Sequence, residues 1–271
     1  MSRWTIDEPT RLEFDGVVAL KATLVAGSIS ILASEDAPSL HVNTVEGQPL
    51  LATHEAGMLN ITHENLLWEG MLKWLRSMRC DADITVTVPR DCPVTLNLVT
   101  AGAVIAGLSA RTSIKSGSGD VTLDGVTGKI EANTVSGVIE AQGLDGAVSF
   151  ASVSGDLALA GGSVTALTAS TVSGRIAADV ELSHDSRVRV STVSGEVALR
   201  LPERTSATVT LNAAAGRIDT SFPELQRQER AITRTVAGKL GDGAGQLSVN
   251  TVSGSVTLLS RPQEDSSEKG E

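Results

Sequence analysis

The feature that most constrains this chain is a tetrapeptide that keeps returning. Thr-Val-Ser-Gly stands at 134–137, 171–174, 192–195 and 251–254, with Ser-Val-Ser-Gly at 152–155 and degenerate copies at 116–119 and 213–216. Anchored on the glycine, successive copies lie 18, 18, 19, 21, 21 and 38 residues apart. A period in this range marks an array of small units, each burying its apolar face against the next.

Apolar residues alternate around every anchor. Two residues after the glycine stand Val121, Ile139, Leu157, Ile176, Val197, Ile218 and Val256. Five before it stand Ile114, Ala132, Phe150, Ala169, Val190, Leu211 and Val249. A period of two is that of a strand with one buried face. Each unit is therefore strand, tight turn at Val-Ser-Gly, strand and return loop. A lone hairpin of this kind cannot bury its face, so coils must stack, with parallel strands ~4.8 Å apart.

The expected fold is all-β: a parallel β-solenoid, right-handed on chirality grounds, of about eight to nine coils. Two of those coils are further frames. One is at Gly102, with Val104 and Ala106 after it; the other is at Gly27, with Leu20, Ala22 and Leu24 before and Ile29 and Ile31 after. The corner glycine is expected to supply positive φ. This gives one solenoid domain over 1–260, with 33–93 as an interruption and 261–271 as a disordered tail.

The composition suits narrow coils. There is no Tyr, and only three Trp and three Phe accompany 26 Gly, so the core must be thin and aliphatic. A net charge of −10 repels phosphate backbones, and few rings are left to stack on bases, so nucleic acid is not an expected partner. No run approaches the ~20 apolar residues of a transmembrane helix. The N-terminal stretch lacks the apolar run of a secretory signal. A cytoplasmic location is expected, with a surface location left open. Cys80 and Cys92 are expected to be reduced.

Stacking turns each repeat position into a column. The position after the anchor reads Asp120, Val138, Asp156, Arg175, Glu196, Arg217, Ser255; its alternating signs predict ion pairs between neighbouring coils. Three before the anchor stand Thr134, Ser152, Thr171, Thr192 and Thr251, hydroxyls placed to cap the turn.

A catalytic serine would need a base, yet His41, His54, His63 and His184 are scattered outside the repeated corner. Glu131 and Glu140 fall on opposite strands, and Asp120 and Asp156 lie two coils apart in one column. That is ~9.6 Å, at the edge of the inverting glycosidase spacing. Gly241–Val249 has the look of one calcium β-roll turn, but a single copy builds no site. No catalytic residue, cofactor motif or metal site is assigned.

One segment breaks the strand pattern. Over 64–79 the apolar residues, among them Trp68, Met71, Trp74 and Leu75, recur at helical spacing, opposite Lys73, Arg76 and Arg79. An amphipathic helix is expected there, either shielding an edge of the solenoid or docking a partner.

The run Ile84-Thr-Val-Thr-Val-Pro89, the Val-Ser-Gly coils, Leu201-Pro202 and the Gly-rich loop before Leu247–Gly254 together resemble a bacterial β-strand-repeat family of unknown function to which adhesion is ascribed. The resemblance covers about 84–259 and, more weakly, 17–32. It implies a parallel β-solenoid and a role in adhesion or interaction, and it brings no catalytic residues. The expected function is a non-enzymatic, adhesin-like interaction scaffold, with an unidentified protein partner or self-association. A carbohydrate-active β-helix enzyme and an exported surface adhesin are the alternatives.

Overall fold

The computed structural model describes residues 2–63, 80–229 and 234–262. The expected helix over 64–79, with Trp68, Met71, Trp74 and Leu75, lies outside them, as does nearly all of the tail expected over 261–271. Among the described residues there is no helix, and every regular element is a strand. The chain divides into two compact units, Met1–Leu144 and Asp145–Glu271.

The N-terminal unit holds β1 (Ser2–Ile6), β2 (Thr10–Glu13), β3 (Ala19–Leu24), β4 (Ala26–Ala33), β5 (Ser39–Gly47), β6 (Leu50–Glu55), β7 (Met58–His63), β8 (Cys80–Val88), β9 (Val94–Leu98), β10 (Gly102–Ala106), β11 (Thr112–Ser116), β12 (Val121–Asp124), β13 (Thr127–Thr134) and β14 (Ile139–Gln142). Strands before the corner form one row, β1–β6–β7–β3–β9–β11–β13. Strands after it form another, β2–β5–β8–β4–β10–β12–β14. From β7 and β8 onward all pairings are parallel, and the register is the one the columns predict: Thr112 opposes Ile130 and Ile114 opposes Ala132. The expected parallel coils are therefore present.

The stretch 33–93 is not the interruption that the spacing suggested. Within it, β7 and β8 make a full coil that pairs in parallel with β3 and β4. Antiparallel β6 and β5 then cover that coil, and β1 and β2 cover them in turn. Trp4 and Phe14 meet edge to face there, with ring centroids 5.4 Å apart. Cys80 and Cys92 are free and buried.

The frame at Gly102 is corrected by one residue. Ala103 and Ile105 oppose Val121 and Leu123, so the corner residue is Ala101, and Val104 points to solvent. A slip of one residue exchanges the faces of a strand, and the neighbouring Gly102 drew the anchor off by that one position.

The C-terminal unit holds β15 (Asp145–Ser152), β16 (Leu157–Thr171), β17 (Ile176–Thr192), β18 (Val197–Pro202), β19 (Ala207–Ala213), β20 (Ile218–Thr220), β21 (Gln226–Glu229), β22 (Arg234–Leu240), β23 (Gly245–Thr251) and β24 (Val256–Arg261). β16 and β17 run through both rows. The row before the corner is β15–β16–β17–β23–β19–β22–β21. The row after it is β16–β17–β18–β24–β20.

Coils here are not stacked in sequence order. The final coil, β23 and β24, is slotted between β17/β18 and β19/β20. The 38-residue spacing is explained by the antiparallel pair β21–β22, which packs on β19 rather than looping free.

The core is thin and aliphatic, filled by columns such as Val190, Val249 and Leu211, all fully buried. Burying each such side chain contributes roughly 1.5–3 kcal/mol.

The corner glycines have a different reason from the one expected. None of Gly119, Gly137, Gly155, Gly174, Gly195, Gly216 and Gly254 has a positive φ, whereas Gly27 does, at 94°. What excludes a side chain is the next coil. A Cβ on Gly195 would stand 1.9 Å from the carbonyl oxygen of Gly174, and one on Gly254 would stand 1.9 Å from that of Gly195.

Candidate functional site

The repeated corner is structural. The hydroxyls of Thr134, Thr171, Thr192 and Thr251 accept the N–H of the corner glycine three residues on, at 2.9–3.0 Å, as the columns predicted. Asp120 accepts the Val138 amide at 2.8 Å, and Asp156 accepts the Arg175 amide at 2.7 Å. These carboxylates bind the backbone of the following coil. Glu131 is engaged by Lys129 at 2.8 Å and Arg111 at 3.2 Å, and the Lys129 hydrogen bond holds its carboxyl below the usual range.

Of the predicted ion pairs in the column after the glycine, Arg175–Glu196 is present at 3.4 Å. Glu196 and Arg217 are not neighbours, because the coil of Ser255 lies between theirs.

Beside this column runs an apolar one that the sequence reading passed over. Val153, Val172, Val193 and Val252 of the C-terminal unit are each about half exposed, at 47–54%. A single file of four valines falls far short of the ~800 Å² per partner that a stable interface buries.

Away from the corner, side chains of the C-terminal unit do converge. Asp179 on β17 lies opposite Arg200 on β18, and Pro202 at the end of β18 lies opposite Arg261 at the end of β24. Arg200 donates to Asp179 through Nε at 2.9 Å and again through its terminal nitrogen. Arg261 stands 3.3 Å from the other oxygen of Asp179 and 3.5 Å from Glu181. Asp179 is thereby covered, with 19% of its side chain exposed. Arg204, in the turn after β18, is exposed and has no carboxylate partner among the described residues.

Glu181, Arg200, Pro202, Arg204 and Arg261 line a groove of about 920 Å³. Leu182, Pro202 and Pro262 supply its apolar surface. Of the cations in its lining, Arg200 and Arg261 are held by Asp179 and Glu181 and His184 by Asp185 and Asp242, which leaves Arg204 as the one without a carboxylate partner among the described residues.

His184 stands at this groove between two carboxylates. Its Nδ1 is 3.3 Å from Asp185 and its Nε2 is 3.3 Å from Asp242. The hydrogen bond to Asp185, then the charge of Asp242, raise its pKa above the ordinary imidazole value. Ser206 donates its hydroxyl to Asp242, not to His184, and Asp242 also accepts the Ala244 amide at 3.2 Å. Those hydrogen bonds, that of Ser206 first, lower the Asp242 carboxyl. Serine, aspartate and histidine are thus in line, with the hydroxyl held by the aspartate and not by the imidazole. The arrangement ties β17 at His184 to the turn of Asp242.

None of Trp68, Met71, Trp74 and Leu75 bears on this groove, since they lie outside the described residues. The Asp179–Arg200 pair was available in the sequence as the fifth position after the anchor. Arg261 was not, because its neighbour is set by the displaced last coil.

The class these features define is an all-β repeat protein of parallel coils whose outer rows carry antiparallel covers. No helix among the described residues is long and apolar enough to cross a membrane. The chain belongs to the Toastrack DUF4097 family, whose model matches residues 27–259.

Among solved structures it is similar to a candidate lipid-binding protein from Parabacteroides distasonis, with TM-score 0.54 and 18% identity over 94% of this chain and 97% of that one. It is also similar to a candidate adhesin from Bacteroides fragilis, with TM-score 0.35 and 10% identity over 95% and 97%. A third is a candidate cell adhesion protein from Clostridium sporogenes, with TM-score 0.26 and 12% identity over 94% and 100%. The first supports the fold, and the other two superpose too loosely to bear on geometry. No curated protein matches the chain.

Proposed function

We propose that this chain is a non-enzymatic, adhesin-like interaction scaffold that engages its partner through the groove of the C-terminal unit. One observation carries the reading: Arg204 stands in a groove of about 920 Å³ on a strongly acidic chain and has no carboxylate partner among the described residues. An uncompensated cation in a concavity attracts an oppositely charged ligand.

The lipid-binding name of the Parabacteroides neighbour prompts a second reading with less support, since the groove is lined by charge and the coil interiors are filled by aliphatic side chains. Self-association by edge pairing loses its main basis. The final coil in the chain offers no free edge, since it is paired on both sides. The outer strand β21 is short and polar, which discourages further pairing.

The test compares wild type with Arg204→Glu for retention of bacterial cell-envelope components, while sedimentation velocity follows assembly. Retention by the wild type and its loss in the variant are expected. Equal retention by both refutes the groove, and release of reducing ends from envelope polysaccharide refutes the non-enzymatic assignment.

A further inference from the structure

We infer that the groove takes an oligosaccharide carrying carboxylates, a uronate-type glycan. This rests on the groove's being the interaction site.

The lining sorts into three chemistries. Arg204 is the cation left over: Arg200 and Arg261 are already occupied by Asp179 and Glu181, whereas no carboxylate among the described residues meets Arg204. A guanidinium offers a planar fork of donors that matches a carboxylate in two parallel hydrogen bonds. Glu181 is the second element. Its side chain is 66% exposed at the groove wall, where it accepts hydrogen bonds but repels anions. A ligand that carries hydroxyls beside its carboxylates gives Arg204 its anion and Glu181 its donors. The third element is apolar: Leu182, Pro202 and Pro262 offer surface on which the C–H face of a sugar ring can rest. The volume of about 920 Å³ suits a ligand of a few sugar units.

An acidic peptide shares the carboxylates but not the hydroxyls, so it uses Arg204 while leaving Glu181 opposed. That difference is what the probes separate.

Calorimetric titration of the full chain with hexagalacturonate, maltohexaose and hexaglutamate tests the inference. The uronate is expected to bind at least tenfold more tightly than the neutral sugar and the peptide, with an affinity that falls as salt rises. Arg204→Glu is expected to weaken it at least tenfold. Arg227→Glu, which removes an exposed arginine paired with Asp219 outside this groove, is expected to leave it unchanged. Thermal melts check that each variant is folded, and Arg204→Ala, expected to show the same loss, replaces a variant that is not.

Hexaglutamate binding as tightly as the uronate, and lost in Arg204→Glu, overturns the saccharide inference while leaving the groove as an interaction site. Uronate binding indifferent to Arg204→Glu overturns it as well. If none of the three probes binds, the inference fails; if envelope retention is also indifferent to Arg204→Glu, the groove fails as the interaction site too.

Discussion

Replacing Gly195 by alanine tests why the corner is built of glycine. A Cβ there would stand 1.9 Å from the Gly174 carbonyl oxygen and 2.8 Å from the Thr192 hydroxyl. Close carbon–oxygen contacts between neighbouring strands settle at about 3.3 Å or more. The shortfall against Gly174 is therefore about 1.4 Å, and the atom in the way is backbone. To relieve it, two coils must separate at the corner. That lengthens the ladder bond from the Ser194 amide to Val172, now 2.9 Å, and disturbs the Gly195 amide bond to Thr192.

Losing or stretching two hydrogen bonds at ~1 kcal/mol each, with added packing strain of ~1–3 kcal/mol, gives a cost of about 3–5 kcal/mol. The comparison variant is Gly125→Ala, where φ is +58° and nothing lies within 4 Å of the new methyl group. It carries only the left-handed backbone penalty of about 1–2 kcal/mol. Urea unfolding followed by far-ultraviolet circular dichroism measures both. Gly195→Ala should lower the midpoint further than Gly125→Ala does. If Gly125→Ala proves the more damaging, backbone conformation rather than coil contact selects the corner residue, and the reasoning fails.

Three further outcomes follow from named contacts. Double-mutant cycles at low salt should show coupling of about 0.2–1 kcal/mol for Arg175 with Glu196 and none for Arg217 with Glu196, because only the first pair is on adjacent coils; coupling of the second pair would refute the displaced coil. His184 should titrate above the unfolded value of ~6.5, so its contribution to stability is present below that pH and lost as pH rises through the folded value; an NMR titration checks this, and a value unmoved by Asp242→Asn would remove Asp242 as a cause. Burial, then the charge of Asp91, push the Cys92 thiol up to about 11, so it should resist alkylation at pH 8 in the native protein and react once urea is added; fast native labelling of Cys92 would contradict its burial.

Much of the coil was legible in the sequence because its rule is local. Alternation around Gly137 or Gly195 states which side chains face inward, and seven copies set one register. The hydroxyl cap followed from the same alignment, since Thr192 lies inward beside the turn it serves. The stacking order was not legible. Coils alike in pattern are interchangeable to a sequence reader, so nothing local says that Val249 sits between Val190 and Leu211. The groove suffered from the same blindness. Arg261 meets Asp179 only after the last coil has been put in its place, and Arg204 lies in a turn that belongs to no column. Gly102 shows the other failure: a glycine one position past the true corner captured the frame and turned Val104 inward on paper.

The displaced last coil changes what the loss of the chain's end would do. A repeat array in which order in space follows order in sequence can fray from either terminus, shedding one unit while the remainder stays folded. Here β23 bridges β17 and β19, and β24 bridges β18 and β20, so the last described stretch of chain works as a keystone. Cutting before Gly245 would not shorten the stack by a unit. It would open a gap one coil wide between Val190 and Leu211, parting two rows at once, and the β19–β22 cover would be left on a fragment with nothing to cover. The chain must also keep that slot open while it folds, admitting a later coil into the middle of those made before it.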